Sequence, residues 1–253
     1  MIGLFLRSLL FNMFYVTSAG LFCIPVALST PFGPRFGYRV AALWVRLNFW
    51  LLKHLVRLDY RIEGRENIPA QCAIAYWKHQ SAWETLAMVV TFPPQAWVLK
   101  RELMRVPLLG QALLAFEPIA VDRGSGQAAV NQVVRVGKKR LLEEHLWVMI
   151  FPEGTRMPPG TTRRYGLSGA LLADATGKPI IPVAHNAGDF WRRNAFMKYP
   201  GTIQVRIGKP VYANGRPPQE VNAEIQAWIE NRMKEISPGY AGTVLERRKG
   251  PGR

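Results

Sequence analysis

The most informative stretch for the fold reads Trp147-Val148-Met149-Ile150-Phe151-Pro152-Glu153-Gly154-Thr155-Arg156. Its first five residues are bulky and apolar, as in a strand that is buried on both faces. Pro152 and Gly154 then predict a tight turn. Helical spacing of apolar residues precedes the stretch over residues 127–143 and follows it over residues 167–176. A buried strand between two helices is the unit from which parallel and mixed sheets are built.

The same alternation of short apolar runs and segments with helical spacing recurs along the chain after residue 59. Another helical pattern covers residues 221–234, and further short apolar runs occupy residues 73–77, 96–99, 118–121, 180–184 and 203–207. Buried strands that alternate with helices predict an α/β fold, with a mixed, largely parallel sheet flanked by helices. We expect one such domain over residues 60–236, since 253 residues are enough for a large core.

The N-terminal segment is strongly apolar. No charged residue occurs between Arg7 and Arg35, and about 20 apolar residues can cross a bilayer. Asn12, Gly20 and Pro25 interrupt the run, so a kinked or re-entrant helix is an alternative to a spanning one. A cleaved signal peptide is a third interpretation, less favoured because a second lipophilic segment follows.

That second segment, residues 39–58, carries cations at spacings of seven, seven and four, which a helix gathers into one stripe. These cations are Arg39, Arg46, Lys53 and Arg57. With leucines and tryptophans on the remaining surface, the pattern predicts a basic amphipathic helix in the membrane interface. Residues 1–59 are therefore predicted to form a two-helix membrane anchor, and the cations favour the cytoplasmic side for the following domain. The alternative is an ordinary core helix.

Overall charge predicts an anionic partner. The chain has 33 Lys and Arg against 17 Asp and Glu, a net charge of +16. Nucleic acid, an anionic membrane or a phosphorylated substrate would suit this charge. The cations are not interleaved with an aromatic RNA-binding motif, so we expect no nucleic acid. Residues 237–253 end in a basic, Gly- and Pro-containing run and predict a loose tail.

Polar side chains follow the predicted strands where each one ends. They are Lys78-His79, Lys100-Arg101, Asp122-Arg123, Glu153 to Arg156, and His185-Asn186. In open α/β sheets, ligands bind at the carboxyl ends of the strands. The sequence therefore predicts a site for an anionic ligand, with one potential base.

Two interpretations compete for His79 and Glu84. Ser81-Ala-Trp-Glu84 has the spacing of a capping box, in which Glu84 accepts from a free backbone amide at a helix start. Alternatively, Glu84 orients His79 as a general base. Positions five apart on a helix are about 140° out of phase. The two side chains therefore meet only if His79 precedes the helix, which makes the interpretations partly compatible.

The turn after the strand at residues 147–151 offers groups for an anion. Gly154 lets backbone amides approach a ligand, and Arg156 can grip a phosphate bidentately. Lys100 and Arg101 could add charge. The alternative for each residue, taken singly, is a solvated surface side chain.

Taken in order, these motifs resemble those of the glycerolipid acyltransferase family, in particular bacterial members that act on lysophosphatidic acid. The resemblance covers residues 60–210, and the Phe151-Pro-Glu-Gly-Thr-Arg156 block is the most specific part. It implies that His79 deprotonates a glycerol hydroxyl and that the acidic residue at 84 orients it. One departure is that the family usually has Asp where this chain has Glu84.

The resemblance also implies the main substrate-binding residues: Lys100 and Arg156 for the phosphate, and Glu153 and Gly154 for the acceptor. Arg101, Arg123 and Thr155 are further candidates because they follow the same predicted strand ends. The implied reaction is direct transfer from acyl-CoA or acyl carrier protein to the sn-2 hydroxyl of 1-acyl-glycerol 3-phosphate, without a cofactor, at the cytoplasmic face of a bacterial inner membrane. No metal is expected, because His54, His79, His145 and His185 lack ligand spacing.

Three alternatives stay open: a lyso-ornithine lipid as acceptor, glycerol 3-phosphate as acceptor, and a basic peripheral membrane protein without catalysis.

Overall fold

The computed structural model describes residues 1–92, 94–122 and 124–246, with the backbone alone at residues 30 and 34. Its α-helices are α1 (Ile2–Leu28), α2 (Pro34–Leu51), α3 (Trp83–Thr91), α4 (Leu109–Leu113), α5 (Gln127–Leu142), α6 (Ser168–Thr176), α7 (Ala187–Phe190) and α8 (Pro218–Ile236). Its strands are β1 (Leu58–Glu63), β2 (Ile74–Trp77), β3 (Gln95–Lys100), β4 (Ile119–Val121), β5 (Trp147–Ile150), β6 (Thr161–Thr162), β7 (Ile180–His185), β8 (Gly201–Ile207) and β9 (Thr243–Val244).

The main sheet has the strand order β1-β8-β7-β2-β5-β3-β4. From β7 to β4 neighbouring strands are parallel, whereas β8 is antiparallel to β7 and β1 is parallel to β8. The predicted mixed, largely parallel sheet is therefore confirmed. Its five parallel strands all end at one edge, and that edge carries the candidate site.

Helices cover both faces of the sheet. Successive strand residues point to opposite faces, and β2 shows what lies on each. Tyr76 is hydrogen-bonded to Asn222 of α8 (Oη to Oδ1, 3.2 Å). Trp77, the next residue, packs edge-on against Phe92 at the end of α3, with ring centroids 5.7 Å apart. Every residue of β2 and β5 is buried, which explains why these strands are continuous apolar runs.

The N-terminal helices differ from each other in a way that corrects the sequence prediction. Within the described ranges, α1 is the one helix that is long and apolar enough to cross a membrane. By contrast, α2 buries Tyr38, Val45 and Phe49 in the core and is partly a core helix. The predicted two-helix anchor therefore reduces to one long apolar helix beside an amphipathic one.

The predicted helix over residues 39–58 has different limits in the structure. The α-helical part ends at Leu51, and a π-helical turn, Leu52–Val56, follows. Arg57 adopts a left-handed conformation (φ 62°), and β1 starts at the next residue. Arg57 therefore leaves the helical stripe of cations.

One side of α1 is attached to the α/β domain. Asn12 Nδ2 donates to the Phe196 carbonyl at 2.8 Å, and Ser8 Oγ accepts from the Lys198 amide at 3.0 Å. Phe11 is buried edge-on against Trp191. Other positions on α1, such as Val16, are exposed and apolar. The helix thus has one protein-facing side and one apolar side that faces away, and membrane association follows from the second.

The predicted tail is partly packed. Tyr240 is buried, and β9 pairs in parallel with β6, which lies after the Phe151–Arg156 turn. The basic end, residues 247–253, lies outside the described residues.

Candidate active site

The carboxyl edge of the parallel strands brings the predicted polar residues into one row. Across this edge the order is His185 (β7), His79 (after β2), Glu153 (after β5) and Lys100 (β3). Neighbouring strands are about 4.8 Å apart. Strands β2 and β5 are neighbours, whereas β3 is two strands from β2, a separation of about 10 Å.

His79 lies in the loop between β2 and α3, and its ring contacts Glu84. Nδ1 of His79 lies 2.8 Å from Oε1 of Glu84. The same oxygen accepts the backbone N–H groups of Gln80 (2.9 Å) and Ser81 (2.7 Å), and Ser81 Oγ accepts the N–H of Trp83 at 3.1 Å. Glu84 therefore closes the start of α3 and contacts His79 with a single atom.

These contacts define the state of the pair. Burial acts to raise the pKa of Glu84, but the His79 hydrogen bond, the two imidazoles and the Ser81 amide outweigh it and leave the pKa below its ordinary value. The carboxylate is thus ionised and can only accept. Nδ1 of His79 then carries the proton, and the lone pair of the neutral ring lies on Nε2. An imidazole in this tautomer can act as a base through Nε2.

The turn after β5 packs directly on His79. Phe151 stacks on the imidazole with ring centroids 3.8 Å apart and planes 14° apart. The N–H of Met157 donates to the His79 carbonyl at 2.6 Å. Arg156 is the residue before Met157, and its guanidinium acts electrostatically on the hydroxyl of Tyr15 in α1. The structure therefore brings His79 and Arg156 to one corner of the edge, beside α1.

Glu153 faces inward, unlike the prediction that it helps to bind an acceptor. It is 1% exposed. Oε1 accepts from Lys78 Nζ at 2.7 Å, and Oε2 accepts from the His79 backbone N–H at 2.9 Å. Burial raises the pKa of Glu153 to about 7, against the lowering effect of Lys78 and of the His79 amide. Both carboxylate oxygens are thus engaged by groups of the chain itself.

The other predicted binding residues spread out along the edge. Lys100 pairs with Glu102 at 2.9 Å and is about half exposed. Arg101 Nη2 donates to Gln132 of α5 at 3.3 Å, on the exposed surface. Neither residue contacts His79 through any described hydrogen bond. Arg123 lies outside the described residues.

Gly154 and Thr155 form the tip of the turn and are partly exposed. Gly154 has φ 69°, in the region that favours glycine, and the side on which a β-carbon would lie is open. Its N–H donates to the Phe151 carbonyl at 2.9 Å. That amide closes the turn, so it is not available as a donor to a bound oxyanion.

Four neighbours of the site had no predicted role, although two of them were expected at this edge: Lys78, His185, Glu230 and Tyr240. Lys78 and His185 sit at strand ends, a signal that the sequence did contain. Glu230 and Tyr240 lie on α8 and beyond it, and no local pattern connects them to residues some 80 to 150 positions earlier. His185 is fully buried, and burial lowers its pKa. Its Nε2–H donates to the Lys78 carbonyl at 2.7 Å, which fixes its neutral tautomer.

An apolar cavity lies along α3, the helix that begins beside Glu84. It has a volume of about 210 Å³ and is enclosed by α1, α2, α3, β3 and α4. Thr85, next to Glu84, lines it, as do Ala19 of α1 and Ala112 of α4. The cavity thus extends from the start of α3 towards the N-terminal helices. Within the described residues, no group of three or more His, Cys, Asp or Glu is arranged to hold a metal ion.

Comparisons with known proteins identify the family. The acyltransferase family model matches residues 59–186. A 1-acyl-sn-glycerol-3-phosphate acyltransferase from Pseudomonas aeruginosa is 40% identical over 239 residues, covering 92% of each chain. The human 1-acyl-sn-glycerol-3-phosphate acyltransferase alpha is 28% identical over 182 residues, 71% of this chain and 64% of that protein.

The fold has a solved counterpart. The crystal structure of the 1-acyl-sn-glycerophosphate (LPA) acyltransferase PlsC from Thermotoga maritima matches with a TM-score of 0.72, covering 93% of this chain and 95% of that one at 20% identity. The family model spans half of the chain, and the Pseudomonas relative spans nearly all of it. The chain therefore belongs to the acyltransferase family and is an acyl-transferring enzyme.

Proposed function

We propose that the enzyme transfers an acyl group from acyl-CoA or acyl carrier protein to the sn-2 hydroxyl of 1-acyl-glycerol 3-phosphate, giving phosphatidic acid. The observation that carries the proposal is the 2.8 Å contact between His79 Nδ1 and Glu84 Oε1. The turn that bears Arg156 is hydrogen-bonded to His79, and Thr85, the residue after Glu84, lines an apolar cavity. The 40% identity to the Pseudomonas relative supports this acceptor.

In the proposed mechanism His79 is the general base. Nε2 takes the proton of the sn-2 hydroxyl while the oxygen attacks the carbonyl carbon of the thioester. The C–S bond breaks, and the departing sulfur takes the proton back from Nε2 and leaves as a thiol. Glu84 holds Nδ1–H and stabilises the imidazolium that exists between the two proton transfers. No covalent acyl-enzyme is required.

Charged side chains on the rim would hold the substrate phosphate. Arg156 is the nearer group, since the turn that carries it is hydrogen-bonded to His79. Lys100, two strands away, would reach the phosphate from the other side once it leaves Glu102. Arg101, Arg123 and Thr155 would add positive charge and a hydroxyl around this position. Glu153 and Gly154 would shape the turn.

Substrate would arrive from an anionic membrane. The exposed apolar side of α1 and the net charge of +16 both favour such a surface. We place the enzyme at the cytoplasmic face of a bacterial inner membrane. The apolar cavity beside α3 would receive an acyl chain.

The test is a transfer assay with purified protein in detergent micelles. Acceptors are lysophosphatidic acid, a lyso-ornithine lipid and glycerol 3-phosphate, each with acyl-CoA and with acyl carrier protein. We expect phosphatidic acid from the first acceptor, and loss of it in His79→Ala, with a single cooperative unfolding transition showing that the variant is still folded. Transfer to another acceptor alone would reassign the substrate. Binding to anionic vesicles without any transfer would refute the enzymatic proposal.

A further inference from the structure

A buried lysine immediately precedes the catalytic histidine. Lys78 is 0% exposed, and its ammonium meets three acceptors: Glu153 Oε1 at 2.7 Å, the Thr161 carbonyl at 3.0 Å and Glu230 Oε1 at 3.1 Å. An ammonium with no exposure cannot touch a substrate. Its contacts instead make it the centre of a buried charged cluster, formed with Glu153 and Glu230.

Glu153 links this ammonium to His79. One carboxylate oxygen accepts from Lys78 Nζ and the other from the His79 N–H. Because a carboxylate is rigid and planar, fixing one oxygen fixes the direction of the other. The position of the His79 backbone therefore depends on where Lys78 holds Glu153.

The peptide between Lys78 and His79 is held at both polar ends. Its N–H donates to Glu153, and its carbonyl accepts from His185 Nε2 at 2.7 Å. On either side, the Lys78 N–H donates to Val183 and the His79 carbonyl accepts from Met157. Every backbone polar group of the two residues is thus hydrogen-bonded. One of the four bonds belongs to the pairing of β2 with β7, and the other three are made to side chains or to the turn after β5.

Two carboxylates share the one ammonium. Oε1 of Glu230, on α8, accepts from Lys78 Nζ and from Thr162 Oγ1, the latter at 2.8 Å. Its second oxygen, Oε2, accepts from the hydroxyl of Tyr240. The Tyr240 ring also lies 5.4 Å from Lys78 Nζ. The segment after α8 therefore completes the cluster, which joins the C-terminal region to the site through Lys78.

We propose that Lys78 is a positioning residue of the acyl transfer, acting through Glu153 on the backbone of His79. This assigns Glu153 the task of placing the base, whereas the family resemblance implied contact with the acceptor. The inference rests on the proposed function, because it requires His79 to be the base. A displacement of about 1 Å in such a group costs about 10²-fold in rate.

The test is a double-mutant cycle at positions 78 and 153, with kcat and the KM for lysophosphatidic acid measured on folded protein. Lys78→Met and Glu153→Gln should each lower kcat by about 10²-fold and leave KM within about twofold, since neither side chain is accessible to the acceptor. In Lys78→Met/Glu153→Gln the introduced amide oxygen can still accept the His79 N–H. The double variant should therefore be no slower than Lys78→Met alone.

Three results would overturn the inference. A raised KM at unchanged kcat would mean that the cluster contacts the acceptor. Unchanged kcat would mean that the cluster only stabilises the fold. Losses that multiply in the double variant would mean that Lys78 and Glu153 act separately.

A matched control and a milder variant complete the design. Tyr38→Phe removes a buried hydroxyl that contacts the Val89 and Phe92 carbonyls at the opposite edge of the sheet, and it should lower the melting temperature without changing kcat.

If Lys78→Met does not fold, Tyr240→Phe and the double variant test the inference in its place. Both should lower kcat at unchanged KM, and unchanged kcat in both overturns the inference. A wild-type protein that transfers nothing to lysophosphatidic acid overturns the proposed function, and this inference with it. If the wild type is active and the variants have the same kcat as the wild type, the inference about Lys78 is overturned and the proposed function stands.

Discussion

The carboxylate of Glu84 reaches the ring of His79, with 2.8 Å between Oε1 and Nδ1, because His79 precedes α3 and does not lie on it. On a continuous helix, residues five apart would diverge by about 140°. The loop bends back instead, and the same oxygen collects the N–H groups of Gln80 and Ser81. Oε1 of Glu84 therefore both satisfies the backbone N–H groups at the start of α3 and orients the base.

Glu84→Gln separates these two tasks. The amide oxygen can still accept from the backbone at the helix start, but it carries no charge to stabilise an imidazolium. We expect kcat to fall by about 10²-fold, within the usual range for a positioned acid–base pair, at a melting temperature near that of the wild type. The measurements are steady-state acyl transfer and thermal unfolding in detergent.

Its matched control is Ser81→Ala, which removes only the bond from the Trp83 N–H to Ser81 Oγ. Loss of a helix cap costs about 1 kcal/mol, so stability should fall while kcat changes little. If the Gln variant turns over as fast as wild type, Glu84 serves only to close the helix.

Arg156→Ala tests the phosphate site. Since the guanidinium lies on the turn that contacts His79, its removal should raise the KM for lysophosphatidic acid by at least tenfold. A hydrogen bond to a charged group is worth about 1.5–3 kcal/mol. Arg232→Ala serves as the control, because that arginine pairs with Glu235 on the exposed side of α8. Equal KM values for both variants would place the phosphate elsewhere.

Ala19→Phe tests the apolar cavity. Ala19 lines it from α1, so a benzyl group there would fill space that we assign to an acyl chain. We expect the kcat/KM ratio of long to short acyl-CoA donors to drop at least fivefold. Val16→Phe places the same aromatic side chain on the exposed side of α1 and should leave the ratio unchanged. A shift of similar size in both variants would contradict the assignment.

The raised pKa of Glu153 predicts a pH dependence of stability. Burial moves this pKa from 4.5 in the unfolded chain to about 7 in the folded protein. Between these values the folded state keeps a proton that the unfolded state has lost, so the free energy of unfolding decreases as pH rises through this window. Relative to Glu153→Gln, the wild type should melt at progressively lower temperature from pH 4.5 to pH 7. A constant difference between the two melting curves would refute the shift.

Local patterns in the sequence predicted much of the fold. Strand β5 belongs to a run of five apolar residues, Trp147 to Phe151, that a Pro-Glu-Gly turn follows. Because the strand is buried on both faces, its residues are apolar throughout and do not alternate with polar ones. Parallel pairing then places the polar residues after β2 and β5 side by side. This is why His79 and the turn bearing Arg156 were expected at one edge.

Other features depend on contacts that no local pattern encodes. Strand β1 was missed because it is a half-exposed edge strand, and its partner β8 begins more than 130 residues later. The bond between Lys78 and Glu230 spans 152 positions. The exposed contact of Arg101 with Gln132 depends on how α5 packs against β4, which residue spacing does not reveal.

The bonds from Ser8 and Asn12 to the segment at Phe196 and Lys198 hold α1 flush against the α/β domain. An enzyme attached in this way cannot rise far above the lipid headgroups on a flexible stalk. It would meet its acceptor by lateral diffusion, at a density counted per unit area of bilayer. Turnover should accordingly follow the mole fraction of lysophosphatidic acid in mixed micelles, falling when inert detergent is added even though the amount of substrate per millilitre stays the same.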